Sequence, residues 1–326
     1  MKLNLKQILL ISGSFLLFFF YSSSCAGQKS KSANKKNLPP LIIDTDITMG
    51  LPFKDVDDGL AVASIILSGK YDVKGITVTF GNGTLQEARE RILDLLSHLN
   101  VNIPVYNGAE DKYSLGVTTE AARFITAVAE KYRGRITILS IGPLTDLATA
   151  YLLNKKISGY FKEVVIMGGA IFHEGNVPPE MESEFNFWRD PPAAKIVLDN
   201  FKNIRLFPLD VCMDTIIDGE EMKNLSQCTS SWCQYLYNNI KDWYDIMSSI
   251  FGGFYPYDLI AALYLVDNSF LTDYRTMPVT VLTEEGEYYG KSITTGAINK
   301  SLVFFDLNEE RFKDEFYRYL KIGKGD

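Results

Sequence analysis

Asp44, Asp46, Asp57 and Asp58 fall within one stretch, Leu41 to Ser68, LIIDTDITMGLPFKDVDDGLAVASIILS. A lone Asp at a helix start caps free N–H groups and meets the positive end of the helix dipole, for about 0.3–1 kcal/mol. One cap needs one carboxylate. Four of them gathered at a strand end and a helix start repel one another and raise their own pKa values unless a cation or a shared proton intervenes. A hard cation with oxygen ligands, Ca²⁺ or Mg²⁺, relieves that repulsion, so metal-assisted chemistry is the first expectation.

The elements that must position these groups are legible around them. Leu41-Ile42-Ile43 follows Pro39-Pro40 and is too short for a helix, so it reads as a buried parallel strand with Asp44 and Asp46 at its carboxyl end. Leu60 to Leu67 is apolar nearly all round, as a buried helix is, and Asp57 and Asp58 open it. In open α/β sheets the carboxyl ends of the strands face the ligand crevice. Val73 to Phe80 alternates as a strand, and Thr84 with Glu87 forms a capping box before a helix carrying Leu85, Ala88, Ile92, Leu95, Leu96 and Leu99 on one face. Strand and helix patterns then alternate. Pro104 to Tyr106, Ile136 to Ile141, Val164 to Met167 and Ile204 to Leu209 read as strands, and Thr119 to Tyr132 and Leu144 to Tyr151 as helices. Ala170 to Asp190 has no clean period and reads as a long functional loop. Gly219 to Ser249 reads as mostly helical and rich in aromatics, Asp258 opens another apolar helix, Val279 to Leu282 is a strand before a Glu-Gly turn, and Asn308 to Leu320 is a terminal helix. The fold expected is α/β: a single domain with a mainly parallel open sheet flanked by helices, Rossmann-like.

At 326 residues and 46% hydrophobic, the chain can bury one large core. The net charge of -7, with no basic cluster beyond KSANKK, argues against nucleic acid as a partner. Residues 1–24 read as a signal peptide: Lys2 and Lys6 precede an apolar run from Ile8 to Tyr21, the length of an h-region. Ser22-Ser23-Ser24-Cys25 resembles a bacterial lipobox, which implies lipidation of Cys25 and a membrane-anchored, exported lipoprotein of the cell envelope. Residues 25–37 are a polar tether and 38–326 the domain. Cys228 and Cys233 are close enough to pair in an exported protein, and buried free thiols are an equal alternative. Homo-oligomer formation is left open.

Ile43-Asp44-Thr45-Asp46-Ile47-Thr48 fits the DxDxT opening of haloacid-dehalogenase-like phosphatases, which would make Asp44 a phosphorylated nucleophile beside Mg²⁺. The whole stretch, with Asp57-Asp58-Gly59, more closely resembles the DTDPGxDDA signature of the inosine-uridine nucleoside hydrolases, with a longer loop from Ile47 to Val56 and Gly59 in place of Ala. Further segments follow in the family's order: Gly81-Asn82, Gly142-Pro143-Leu144-Thr145-Asp146, the run from Met167-Gly168-Gly169 through Asn176 and Glu184-Phe185-Asn186 to Asp190-Pro191, and Tyr257-Asp258 where the family carries His-Asp.

That resemblance implies an enzyme hydrolysing the N-glycosidic bond of ribonucleosides, with Ca²⁺ held by Asp46, Asp58, Asp258 and the Ile141 carbonyl. Asp46 would also be the general base, with Asp44 orienting it from behind. Asp57, Asn82, Met167, Asn176, Glu184 and Asn186 would bind the nucleoside. Tyr257 stands where the family's leaving-group acid is His, so Tyr257 and the loop residue His173 are both candidates for that role. Two other readings stay open: the phosphatase, and a non-catalytic nucleoside- or ribose-binding envelope lipoprotein.

Overall fold

The computed structural model describes residues 37–323. The chain runs β1 (Pro40–Thr45), α1 (Asp57–Ser68), β2 (Asp72–Val78), α2 (Leu85–His98), β3 (Val105–Asn107), α3 (Glu120–Lys131), β4 (Ile136–Ser140), α4 (Thr145–Leu153) and β5 (Phe161–Met167). It continues through α5 (Phe185–Arg189), α6 (Pro191–Asn200), β6 (Ile204–Phe207), α7 (Leu209–Cys212), α8 (Gly219–Gln227), α9 (Ser231–Phe251) and α10 (Tyr257–Val266). Last come β7 (Leu271–Pro278), β8 (Thr280–Val281), β9 (Ser292–Ile293), β10 (Lys300–Leu307) and α11 (Glu309–Leu320).

Eight strands form one sheet in the order β3-β2-β1-β4-β5-β6-β10-β7, parallel throughout except for the antiparallel β10–β7 pair. From β1 the chain builds outward to β2 and β3, then crosses to β4 on the other side. The gap between the ends of β1 and β4 is therefore the topological switch point where such sheets bind ligands. Every residue of β1 is buried, because helices cover both faces. Leu41 and Ile43 join the core beneath α1, α2, α10 and α11, and Ile42 joins the opposite core beneath α3, α4 and α6. All three are fully buried, each worth about 1.5–3 kcal/mol relative to exposure.

The capping box at Thr84 and Glu87 is present, and Asp190 caps α6 with Pro191 just inside it. The sequence reading missed α6, β7 and β10; within Val279 to Leu282 the strand is β8, which pairs with β9 in a separate two-stranded ribbon. The long loop after β5 holds α5 near its end. The aromatic helical segment divides into α8 and α9, and a disulfide joins Cys228 beyond the first to Cys233 in the opening turn of the second. Residues 1–36, with Cys25, the signal segment and nearly all of the tether, lie outside the described residues. Among the described residues no helix is long and apolar enough to cross a membrane.

Candidate active site

The acidic groups meet at the switch point because three elements end there. Asp44 is the penultimate residue of β1, pairing across to Thr77 of β2 and Ser140 of β4, and Asp46 is the first residue beyond the strand. Asp57 and Asp58 occupy the first turn of α1, whose own N-cap, Val56, makes no side-chain cap. The Asp57 carboxylate instead accepts the Asp258 N–H of α10 at 2.7 Å, so two helix N-termini, both positive dipole ends, face one acidic cluster. Asp57, Asp58 and Asp258 each bring a carboxylate oxygen within 4.8 Å of the others.

The cluster is buried and incompletely satisfied. Asp46 Oδ2 accepts the Asn82 N–H at 2.6 Å, and Gly81 permits this approach, since a Cβ there would overlap that oxygen. Asp46 Oδ1 has no donor. Asp58 Oδ1 accepts the Thr45 hydroxyl, and Asp58 Oδ2 has no donor. Asp44 Oδ1 accepts the Thr77 hydroxyl at 2.5 Å. Burial, then the charge of Asp58, raises the Asp46 pKa well above the carboxylate range. Burial acts first on Asp258 and Asp57 as well, followed by their acidic neighbours, and it pushes Asp58 up to about 7 against the pull of the Thr45 hydroxyl. Buried carboxylate oxygens without donors cost free energy that a cation among them would recover. An all-oxygen donor set fits a hard divalent ion. The triad differs in one member from the set the sequence suggested: Asp57 joins Asp58 and Asp258, and Asp46 stands beside them.

Asp57 and Asp258 of the cluster line a cavity of about 550 Å³, together with Asn82, Ile141 and Met167. Asn176, Glu184 and Asn186 form one side. Glu184 caps α5, accepting the N–H groups of Gly169, Asn186 and Phe187, and is thereby fixed in place. Asn186 Nδ2 donates to the Ile141 and Met167 carbonyls at 3.3 Å each, and Asn176 Oδ1 accepts the Phe185 N–H at 2.9 Å. The lining also has an apolar and aromatic part: Met213, Trp243, Met247, Phe251, Tyr255 and Tyr257. His173 stands at the rim, exposed, with Nδ1 2.7 Å from the Glu174 carbonyl. Of the residues singled out in the sequence, Asp57, Asn82, Ile141, Met167, His173, Asn176, Glu184, Asn186, Tyr257 and Asp258 line this cavity.

Residues 41–314 match the inosine-uridine preferring nucleoside hydrolases. The chain belongs to this family. It is 26% identical over 274 residues to Uridine nucleosidase 1 of Arabidopsis thaliana, covering 75% of this chain and 78% of that protein. It is 28% identical over 185 residues to the pyrimidine-specific ribonucleoside hydrolase RihB of Escherichia coli, covering 49% of this chain and 58% of that protein. Among solved structures, a plant nucleoside hydrolase superposes with a TM-score of 0.77 at 23% identity, over 86% of this chain and 98% of that one. The purine-preferring ribonucleoside hydrolase from Gardnerella vaginalis does so with 0.75, also at 23% identity and the same coverage. These two likenesses establish the fold, and the family match makes the chain an N-ribosyl hydrolase. The phosphatase and the non-catalytic receptor are not favoured.

As a nucleoside hydrolase, the chain has two site residues that its motifs did not announce. Asp55, half-buried, is a fifth carboxylate: its charge raises the pKa values of both Asp57 and Tyr257. Lys54 lines the cavity and donates from Nζ to the Asn82 carbonyl at 2.6 Å. The signal for Asp55 lay in the DVDD run itself; Lys54 had none, being an isolated cation in a loop. Burial, then Asp55 and Asp57, holds the Tyr257 phenol well above its usual pKa, so it remains protonated.

Proposed function

We propose that the protein cleaves ribonucleosides to ribose and free base in a Ca²⁺-dependent reaction. The observation that carries this reading is the pair of buried, donorless oxygens, Asp46 Oδ1 and Asp58 Oδ2, in the acidic cluster whose Asp57 and Asp258 line a cavity of nucleoside size. Asp46, Asp58, Asp258 and the Ile141 carbonyl would hold Ca²⁺, which when bound orients and acidifies a water. Breaking the N-ribosidic bond builds an oxocarbenium-like centre at C1′. Asp46, its Oδ2 fixed by the Asn82 amide, presents Oδ1 to take the water's proton, with Asp44 steadying it. Asp57 binds the 2′-hydroxyl. Asn82, Met167, Asn176, Glu184 and Asn186 engage the rest of the ribose, and hydrogen bonds to backbone pre-set the geometry of Asn176, Glu184 and Asn186. The aromatic wall receives the base, and the protonated Tyr257 phenol donates a hydrogen bond to it.

The similarity to a plant uridine nucleosidase and a bacterial pyrimidine-specific ribonucleoside hydrolase supports nucleosides as the substrate class. A panel of inosine, uridine, cytidine and adenosine, assayed by ribose release, tests the reading. Turnover of at least one supports it. Tight binding without ribose release, or phosphate release from p-nitrophenyl phosphate instead, would overturn it.

The same proposal extends to address. Lys2, Lys6 and the apolar run before Cys25 support export, and the lipobox-like Ser22-Ser23-Ser24-Cys25 supports anchoring to the cell envelope by a lipid on Cys25. Intact-mass analysis should find a mature chain beginning at an acylated Cys25. A different cleavage point without acyl mass would remove the anchor and leave export.

A further inference from the structure

Among the described residues, Lys54 is the one lysine or arginine lining the active-site cavity, whose other charged walls include Asp55, Asp57, Glu184 and Asp258. It rides on the loop between β1 and α1, the segment that is longer here than in the family signature. That loop is braced. Leu51 N–H donates to the Thr48 carbonyl at 2.9 Å, and the Thr48 hydroxyl donates to the Asp55 carbonyl at 3.1 Å. Gly50 packs so tightly on Asn239 of α9 that a Cβ there would overlap the Asn239 side chain. Its positive φ of 88° also favours glycine. The ammonium is held at the cavity lining, with one N–H on the Asn82 carbonyl and two more to donate.

The reaction leaves a problem that this placement answers. As the C1′–N bond breaks, its electron pair goes to the base, inside a cavity already crowded with carboxylates. Tyr257 brings a neutral hydrogen bond and no charge, and His173 is at the exposed rim. We propose that Lys54 contacts the departing base and stabilises the negative charge that develops on it. The water oxygen bonds to C1′, its proton goes to Asp46, and the base leaves hydrogen-bonded to the ammonium, then takes a proton from solvent. This rests on the hydrolase reading above. It assigns Lys54 as a catalytic residue carried by the longer loop, and it favours bases with a carbonyl oxygen or ring nitrogen facing the loop.

The test compares substrates whose leaving groups need different amounts of help. Lys54→Met and Lys54→Arg are assayed with uridine and with p-nitrophenyl riboside, whose leaving group departs readily as an anion. Lys54→Met should lower kcat/KM on uridine by about 10²-fold, the usual cost of losing one donor aimed at developing charge, and on p-nitrophenyl riboside by no more than about threefold. Lys54→Arg should restore most of the uridine activity, since it keeps the charge. Equal losses on both substrates would mean that Lys54 acts through Asn82 as a positioning residue and would overturn the proposal, as would an unchanged uridine rate. Wild-type turnover tests the hydrolase reading by itself, and if wild type turns over another nucleoside of the panel and not uridine, that nucleoside takes uridine's place in the contrast. Failure of the hydrolase reading then shows in the wild type and failure of this one only in the substrate contrast.

Discussion

Asp46 has one carboxylate oxygen held by a backbone N–H and the other free of donors, and this asymmetry is what a base needs: a fixed body and an available lone pair. Asp46→Asn should keep the Asn82 contact through its amide oxygen and lower kcat about 10²–10⁴-fold, measured by ribose release under saturating substrate. Asp146 gives a prediction of a different kind. It is buried, accepts the Ala109 N–H and the Thr119 hydroxyl, and its charge raises the Asp44 pKa. Burial lifts its own pKa to about 7, against about 3.9 in an unfolded chain. Between those values the folded state binds more protons than the unfolded state, so stability falls as pH rises from about 4 through about 7. Asp146→Asn, the residue usual in the family segment, keeps both acceptors' partners once the Thr119 hydroxyl turns, and removes the charge. Its Tm should exceed wild type at pH 8, and the difference should shrink toward pH 5; a pH-independent difference would contradict this. At this scale the sequence was most readable where acids cluster, as in Asp57-Asp58, and least where a lone side chain acquires its role from a loop's path, as Lys54 does.

The β1–α1 unit was legible because an apolar triplet ends on acids and a second apolar run begins on acids, and both runs must be buried on all sides. β7 offers no such pattern. Leu271–Pro278 is an edge strand with most residues exposed or half-buried, so its side chains carry little apolar signal. Its partner β10 does contain an apolar run, Leu302 to Phe305, but it lies beyond a turn-rich stretch and pairs with β6, far away in the chain. Among the connections, the turn after β2 decides the site. Gly81 lies against Asp46, and Gly142 after β4 lies against it from the other side, a Cβ there coming within 2.9 Å of Oδ1. Gly81→Ala should push the Asp46 carboxylate aside and lower kcat about 10²-fold, the scale of a misplacement of about 1 Å, while circular dichroism and Tm stay near wild type. An unaffected kcat would show that the turn can yield without moving Asp46.

The molecule as a whole puts its chemistry where its topology reverses. β1 and β4 part at the switch point, α1 and α10 deliver their N-termini to the same spot, and the long segment after β5 folds over it with Glu184 and Asn186. Five acids around one buried point would oppose folding by mutual repulsion, and a divalent cation turns that repulsion into attraction. The measurement that bears most directly on this is ribose release from uridine by chelator-treated protein, before and after titration with Ca²⁺. The rate should fall to background with chelator and return in full near one Ca²⁺ per chain, and Asp58→Ala should show no return. A full rate in the chelated protein would contradict the account.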